Sequence, residues 1–144
     1  MSTFVDTSAF YAVLAENDIN HTPALDAWRD LAATMADVSC TNYVLLETTA
    51  LLQHRLGIAS VRAFQEEIVP VLHVQWLSAD DHRAAVQALL ISGRRNLSLV
   101  DCTSFDTMRR LGIRTAFTFD QHFAEQGFDC LPQSQPLVRS QDHQ

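Results

Sequence analysis

The sequence contains no lysine, and all ten of its lysine or arginine positions are arginines. The lack of amine side chains excludes Schiff-base chemistry, the lysine of a phosphate-binding loop and the lysine that phospho-aspartate enzymes place beside their acids. Glycine is scarce as well, with four residues, and the chain has no glycine-rich phosphate loop, no G-x-S-x-G turn and no H-x-x-x-H pair. These absences leave carboxylates as the main candidates for chemistry.

The three cysteines, Cys40, Cys102 and Cys130, are an odd number without a C-x-x-C pair. This pattern favours reduced thiols over a disulfide framework or a zinc knuckle, and we interpret all three as packing residues. The first residues, MSTFVD, lack the basic and apolar regions of a secretion signal, and no apolar run approaches the length of a membrane span. We therefore expect a cytoplasmic protein without a membrane segment.

Composition indicates one globular domain. The chain has 144 residues, of which 47% are apolar and 19% charged, and a chain of this size removes roughly 70% of its unfolded surface from water. The net charge of −7 argues against the broad basic surface that most nucleic-acid-binding proteins use. A partner that carries phosphates therefore requires a local source of positive charge.

Strand patterns alternate with helical patterns along the chain. Strands are predicted at TFVD, ADVSC, VLHVQWL, TAFTF and FDCL. Helices are predicted at AFYAVLA, TPALDAWRDLAA, NYVLLETTALLQHRLG, ASVRAFQEEIV, SADDHRAAVQALLISG and CTSFDTMRRLG, with a short turn at QHFAEQG. This order predicts a three-layer α/β/α sandwich around a mostly parallel sheet. We assign residues 1–132 to one domain and the polar residues 133–144 to a loose tail.

Side chains that accept hydrogen bonds predict where the helices begin. We expect Thr7 or Ser8 to cap the first helix, Asn42 the third and Ser78 the fifth. The segment LSLV is either a strand or an extended lead-in to a helix, with Asp101 at or near the cap of that helix.

Three apolar runs end on an aspartate: TFVD on Asp6, LSLVD on Asp101 and AFTFD on Asp120. Ligands of open α/β sheets bind at the carboxyl ends of the strands, so these side chains are expected to meet there. Glu47 interrupts the apolar face of a predicted helix and is expected to join them. Crowded, buried carboxylates stay ionised only beside a cation, and oxygen ligands favour Mg²⁺ or Mn²⁺. The four acids therefore predict a divalent metal site.

Each acid also has a purely structural explanation. Asp101 and Asp120 are both placed to cap a helix or a short turn, and Asp6 is placed for turn chemistry. Glu47 on an apolar face is rarer but an arginine partner would explain it. Only the joint placement of the four acids favours the metal site.

Half of the arginines lie in one stretch around Asp101: Arg94, Arg95, Arg109, Arg110 and Arg114. Such a group is suited to bind the phosphates of a substrate, although an ordinary solvated helix face is the alternative. We interpret His122, two residues after Asp120, as a surface histidine, and Trp28 and Trp76 as core residues.

The segments FVDTSAFYA, NYVLLETTALL, LSLVDCTSFDTMRRLGI and AFTFDQHF together resemble the PIN-domain nucleases, in particular the VapC-type ribonuclease toxins of bacterial toxin–antitoxin pairs. The residues that this resemblance implies as catalytic and as metal ligands are Asp6, Glu47, Asp101 and Asp120. Ser8 and Thr118 match positions that support those acids. Many members carry another acid where this chain has His122, which leaves the number of metal ions open.

The resemblance implies a Mg²⁺- or Mn²⁺-dependent endoribonuclease, with RNA as substrate, a cognate antitoxin as protein partner and pairing of two chains as a possibility. Two alternatives stay open. One is a catalytically silent module whose first helices bind a protein. The apolar residues suited to that role are Phe10, Tyr11, Leu14 and Trp28. The other is a nuclease that uses the same acids on DNA.

Overall fold

The computed structural model describes residues 2–133, so the predicted tail lies outside the described residues apart from Gln133. Five strands form one sheet: β1 (Ser2–Val5), β2 (Asp37–Thr41), β3 (His73–Gln75), β4 (Thr115–Phe117) and β5 (Asp129–Leu131). Their order is β3-β2-β1-β4-β5, and every neighbouring pair is parallel. All five carboxyl ends therefore lie at one edge of the sheet.

Helices connect the strands. They are α1 (Thr7–Leu14), α2 (His21–Ala33), α3 (Asn42–Arg55), α4 (Ile58–Ala63), α5 (Ala79–Ser92), α6 (Leu99–Leu111) and α7 (His122–Glu125). A π-helical turn, Phe64–Ile68, and a 3₁₀ turn, Val69–Val71, lead from α4 to β3. The predicted three-layer α/β/α sandwich with a parallel sheet is confirmed. Within the described part of the chain, no helix is long and apolar enough to cross a membrane.

The central strands are buried because parallel crossovers place helices over both faces of the sheet. Phe4 and Val5 of β1, and Ala116 and Phe117 of β4, are each exposed by 1% or less. Both strands are therefore buried at consecutive positions and not only at alternate ones. Asp6 and Thr118, the first residues after them, bring polar side chains to the carboxyl edge.

The aromatic residues do not all lie where the sequence indicated. Phe10 of α1 is fully buried, with its ring centroid 5.1 Å from Phe64 and 6.4 Å from Trp28. Phe10 is therefore part of the core and not available to bind a partner. Trp76, predicted to be a core residue, is 76% exposed. It directly follows β3, which is an edge strand of the sheet that residues 2–133 form.

Helices α1 and α3 begin at caps other than those predicted. Asp6 caps α1 by accepting a hydrogen bond from the backbone N–H of Ser8 (3.4 Å). Thr41 caps α3 by accepting a hydrogen bond from the backbone N–H of Val44 (3.1 Å). The predictions that Thr7 or Ser8 caps α1 and that Asn42 caps α3 are wrong. In each case the residue directly before the helix, Asp6 or Thr41, accepts the capping hydrogen bond instead.

We predict that Phe10→Ala lowers the free energy of unfolding by about 3–5 kcal/mol, because it removes a buried ring shared by three segments of the core. Urea denaturation of the metal-free protein measures this loss. Trp76→Ala is the matched aromatic control and should change the free energy of unfolding by no more than about 0.5 kcal/mol. Equal losses in both variants would contradict the packing described above.

Candidate active site

The segments that carry Asp6 and Asp120 leave the carboxyl ends of two neighbouring strands. β1 pairs with β4, and the backbone N–H of Asp6 donates to the carbonyl oxygen of Phe117 at 3.0 Å. Asp120 follows three residues later, after the end of β4. Because the strands are parallel, both acids lie at the same edge of the sheet.

Two hydroxyl groups hold the Asp6 carboxylate. Ser8 Oγ donates to Asp6 Oδ2 at 2.8 Å, and Thr118 Oγ1 donates to the same oxygen at 3.2 Å. The two hydroxyls also accept backbone hydrogen bonds, Ser8 from Phe119 and Thr118 from Asp120, both at 2.9 Å. The end of β1 and the segment after β4 are thus joined through the residues that surround the acid.

Asp101 lies in the first turn of α6 and not at the end of a strand. Ser98 caps this helix: its Oγ accepts from the Asp101 N–H at 3.0 Å, and Asp101 Oδ2 accepts from the Ser98 N–H at 3.2 Å. The strand alternative for LSLV is therefore wrong, while Ser78 caps α5 as predicted, through the same reciprocal motif. The Ser98 role was missed, although the S-x-x-D spacing is itself a capping-box pattern.

A tight group of potential ligands forms at this edge. One ligand atom from each of Asp101, Asp120 and His122 lies within 4.8 Å of the other two. His122 is only 7% exposed, so its interpretation as a surface histidine is wrong. Its backbone N–H donates to Asp120 Oδ1 at 2.9 Å, and its ring extends inward to the carbonyl oxygen of Asn96, 26 residues away.

Both ring nitrogens of His122 have hydrogen-bond partners. Nε2 lies 3.2 Å from the carbonyl oxygen of Asn96, and Nδ1 lies 3.1 Å from Glu125 Oε2. The Glu125 carboxylate, with smaller contributions from Asp120 and Asp101, raises the pKa of the imidazole. Both of these partners accept hydrogen bonds, which favours the imidazolium form, whereas the Arg94 guanidinium, 3.5 Å from Nδ1, opposes it.

Glu47 approaches the site from α3. Its side chain is half-buried, and burial is the main cause that raises its pKa, with further contributions from the charges of Asp101 and Asp120. A hydrogen bond with the Thr7 side chain opposes this shift. Thr7 in turn accepts from the Thr48 hydroxyl at 3.1 Å. Glu47 lies outside the tight group but within its electrostatic influence.

Comparison with known proteins identifies the fold. The family model for the PIN domain matches residues 3–129. The chain belongs to the PIN-domain family. A 23S rRNA-specific endonuclease of Mycobacterium tuberculosis, VapC20, is 37% identical over 126 residues, which cover 87% of this chain and 94% of that protein. The resemblance noted in the sequence is confirmed.

Solved structures agree with this assignment. The crystal structure of M. tuberculosis VapC20, described as a sarcin-ricin loop cleaving toxin, has a TM-score of 0.76 and 35% identity, and covers 88% of this chain and 95% of that one. Two more distant structures share the fold. FitAcB from Neisseria gonorrhoeae has a TM-score of 0.64 and 13% identity, and the match covers 89% of this chain and 95% of that one. PAE2754 from Pyrobaculum aerophilum has a TM-score of 0.54 and 17% identity, and the match covers 88% of this chain and 84% of that one.

The acids of this PIN domain are poorly solvated. Asp6 is 4% exposed, and its burial raises its pKa from 3.8 to about 6, with the Ser8 hydrogen bond opposing and the charges of Asp101 and Asp120 adding to the shift. Burial also raises the pKa of Asp101, which is 8% exposed. A nearby cation would favour the charged forms of these acids, which agrees with a metal-binding role.

The donor set matches a hard divalent ion. Ligands on opposite sides of Mg²⁺ lie about 4 Å apart, and the ligand atoms of Asp101 and Asp120 already lie within 4.8 Å. The acids contribute carboxylate oxygens, the ligands that Mg²⁺ and Mn²⁺ favour. The assignment of Asp6, Glu47, Asp101 and Asp120 as ligands stays a prediction.

One of the five predicted substrate-binding arginines of the PIN domain, Arg94, lies beside this site. Arg94 pairs with Glu125 at 3.2 Å, and the same guanidinium lies 3.5 Å from His122 Nδ1. Arg95 is exposed on the same loop and forms no ion pair with the residues that the structure describes. This loop, residues 93–98, provides positive charge next to the acids.

The other three predicted substrate-binding arginines lie elsewhere: Arg109, Arg110 and Arg114. The first two are in the last turn of α6, about 12 Å along its axis from Asp101, and bond to Gln126 (2.7 Å) and Asp106 (3.0 Å) respectively. The third precedes β4 and so lies at the edge of the sheet opposite Asp120. The structure therefore does not join the five into one cluster.

We predict that, with metal chelated, Asp6→Asn raises the melting temperature at about pH 7. The folded pKa of about 6 exceeds the ordinary value of 3.8, so proton binding to the native state stabilises the fold below about pH 4, and this contribution is lost as pH rises through 6. A shift of two units corresponds to roughly 3 kcal/mol, and asparagine keeps an acceptor oxygen for Ser8.

Thermal melts between pH 4 and pH 7 in chelator test this, and the difference between Asp6→Asn and the native protein should disappear at the acidic end of that range. Asp30→Asn, which removes an exposed charge from α2, is the control for net charge. A melting temperature of Asp6→Asn at or below that of the native protein at neutral pH would show that Asp6 carries no burial penalty.

Proposed function

We propose that this protein is a divalent-metal-dependent endoribonuclease that hydrolyses RNA phosphodiester bonds and acts as the toxin of a toxin–antitoxin pair. The observation that carries the proposal is the convergence of Asp101 and Asp120, with Asp6 and Glu47 nearby, at the carboxyl edge of a PIN-domain sheet. The similarity to a 23S rRNA-specific endonuclease supports RNA as the substrate.

The residues that would hold Mg²⁺ or Mn²⁺ are Asp6, Asp101 and Asp120, with Glu47 binding directly or through water. When bound, such an ion polarises water toward hydroxide and stabilises the negative charge that develops on the phosphate. The protein therefore requires no general base of its own. It supplies carboxylates at a common edge and keeps them correctly oriented.

That orientation comes from fixed hydrogen bonds around the acids. Ser8 and Thr118 hold one oxygen of Asp6, and the Ser98 N–H holds one oxygen of Asp101. Partners of this kind set the direction of a ligand's free lone pairs, and their loss commonly weakens metal sites by about 10–100-fold. Ser8, Thr118 and Ser98 therefore act as positioning residues.

The cationic side of the site suits an RNA backbone. His122 and the Arg94 side chain lie next to the acids, and Arg95 follows Arg94 on the same exposed loop. Guanidinium groups bind phosphate oxygens and position a nucleic acid without selecting its sequence. They provide the local positive charge that a protein of net charge −7 needs in order to bind RNA.

The two alternatives are less well supported. A catalytically silent module would account for the caps that Asp6 and Asp101 form, but not for the close approach of Asp101 and Asp120 at the same edge of the sheet. A DNA-directed nuclease would use the same acids, but the relative at 37% identity is named for rRNA. We therefore propose RNA, and 23S rRNA is the first substrate to test.

The proposal includes an antitoxin partner in the cytoplasm. The VapC20 structure is described as that of a toxin, and an active ribonuclease needs control in the cell that produces it. An apolar cavity of about 360 Å³ between α2 and the 3₁₀ turn offers a docking surface, with Trp28, Met35 and Val71 in its lining. The pairing of two chains stays a prediction.

We predict that Asp101→Asn lowers kcat/KM for RNA cleavage at least roughly 100-fold, because losing a ligand should exceed the effect of losing an outer hydrogen bond. Cleavage of 23S rRNA in Mg²⁺ or Mn²⁺ is the measurement, with calorimetric Mn²⁺ titration alongside. Asp106→Asn, on the same helix but paired with Arg110, is the matched control and should keep native activity. Equal activity of Asp101→Asn and the native protein would remove the nuclease assignment.

We predict that Arg95→Gln weakens RNA binding and lowers its salt dependence, because one phosphate contact to a single strand contributes about 0.7 to the slope of log K against log salt concentration. Binding of an RNA oligonucleotide to Asp101→Asn protein, measured by fluorescence anisotropy at several salt concentrations, gives this slope. Arg62→Gln removes an exposed arginine of α4 that pairs with Glu66, and this variant should leave the slope unchanged. Identical slopes for both variants would place the RNA backbone elsewhere.

A further inference from the structure

A second cavity, of about 360 Å³, lies against the acid site on the side of β5. Six of the residues that line it are Thr118, Phe119, Asp120, Gln121, Ala124 and Cys130. It therefore shares Asp120 with the acid site. Nothing in the chemistry proposed above uses this cavity, whose size falls within the range of ligand pockets.

The cavity and the cationic loop lie on different sides of α7. Ala124 lines the cavity, whereas His122, two residues earlier, faces Asn96 and Glu125. Two residues of a helix are separated by about 200° around its axis. A nucleotide whose phosphate lies at the acids can therefore place its backbone on the loop side of α7 and its base on the cavity side.

The lining favours an uncharged, flat ligand with polar edges. Phe119, Ala124 and Cys130 provide apolar surface, and Gln121 and Gln133 provide amide groups that donate and accept. Within the described residues the lining contains no arginine, and its one carboxylate, Asp120, repels phosphate. A nucleobase meets these requirements, whereas the phosphate backbone does not.

We propose that this cavity binds the base of a nucleotide adjacent to the cleaved bond, and that the Gln121 amide hydrogen-bonds to the edge of that base. The inference rests on the proposed ribonuclease function and adds a source of sequence preference to it. Proteins that select RNA sequences bind unstacked bases against aromatic side chains and hydrogen-bond their edges. Phe119 and Gln121 are placed for these two contacts next to Asp120.

The test compares nucleotide preference in native protein and two variants. Gln121→Ala removes the amide, and Ala124→Phe fills the cavity without changing an acid. The substrates are RNA oligonucleotides that carry each of the four bases at the positions flanking the cleaved bond, with kcat/KM measured for each. Gln65→Ala, an exposed glutamine in the π-helical turn, is the control.

We expect the native protein to prefer particular bases at one flanking position and Gln121→Ala to reduce that preference by roughly 10-fold, the scale of one amide–base pair. Ala124→Phe should lower kcat/KM for all substrates while calorimetric Mn²⁺ binding stays native. Gln65→Ala should keep the native preference.

Native cleavage with the same base preference in Gln121→Ala and Ala124→Phe would overturn the pocket and leave the proposed function standing. Loss of Mn²⁺ binding in Ala124→Phe together with an unchanged preference in Gln121→Ala would also overturn it, because the cavity would then only support the acids. No RNA cleavage by the native protein would overturn both proposals.

Discussion

The buried carboxylate of Asp6 is the interaction on which the site depends. Asp6 directly follows β1, caps α1 and accepts hydrogen bonds from the hydroxyls of Ser8 and Thr118, so it connects β1 with the segment after β4. The same burial raises its pKa to about 6. Burial and the neighbouring acids disfavour its ionised form, and a bound cation would offset that cost. The packing is therefore consistent with the proposed metal site.

At Asp6, Asp101 and Asp120 the structural role is compatible with the proposed role as a metal ligand. The reciprocal bonds between Ser98 and Asp101 start α6 and also fix one oxygen of the carboxylate. Asp120 accepts the N–H of His122, which starts the turn of α7 and brings the imidazole inward. A helix cap needs a carboxylate with a fixed direction, and so does a metal ligand. One set of hydrogen bonds can satisfy both because each carboxylate has a second oxygen.

Charge is distributed unevenly around the acids. Arg94 contacts His122 and Glu125 on one side of α7, and the cavity lined by Gln121 on the other side offers apolar and amide groups. This asymmetry separates the surface suited to phosphates from the surface suited to bases. A protein of net charge −7 and without lysine thereby concentrates its attraction for RNA at one point.

The alternation of strand and helix patterns was enough to predict the parallel sheet and the position of Asp120 after a strand, because hydrophobic period is a local property. Asp101 approaches Asp120 from the first turn of α6 and not from the end of a strand. The exposure of Trp76 and the burial of His122 were decided only in the tertiary structure, where an edge strand leaves one side open and Asn96, 26 residues away, contacts the imidazole. The same holds for the arginines, which the length of α6 separates although they are neighbours in sequence. Contacts between distant segments determine burial and charge pairing, and no local pattern encodes them.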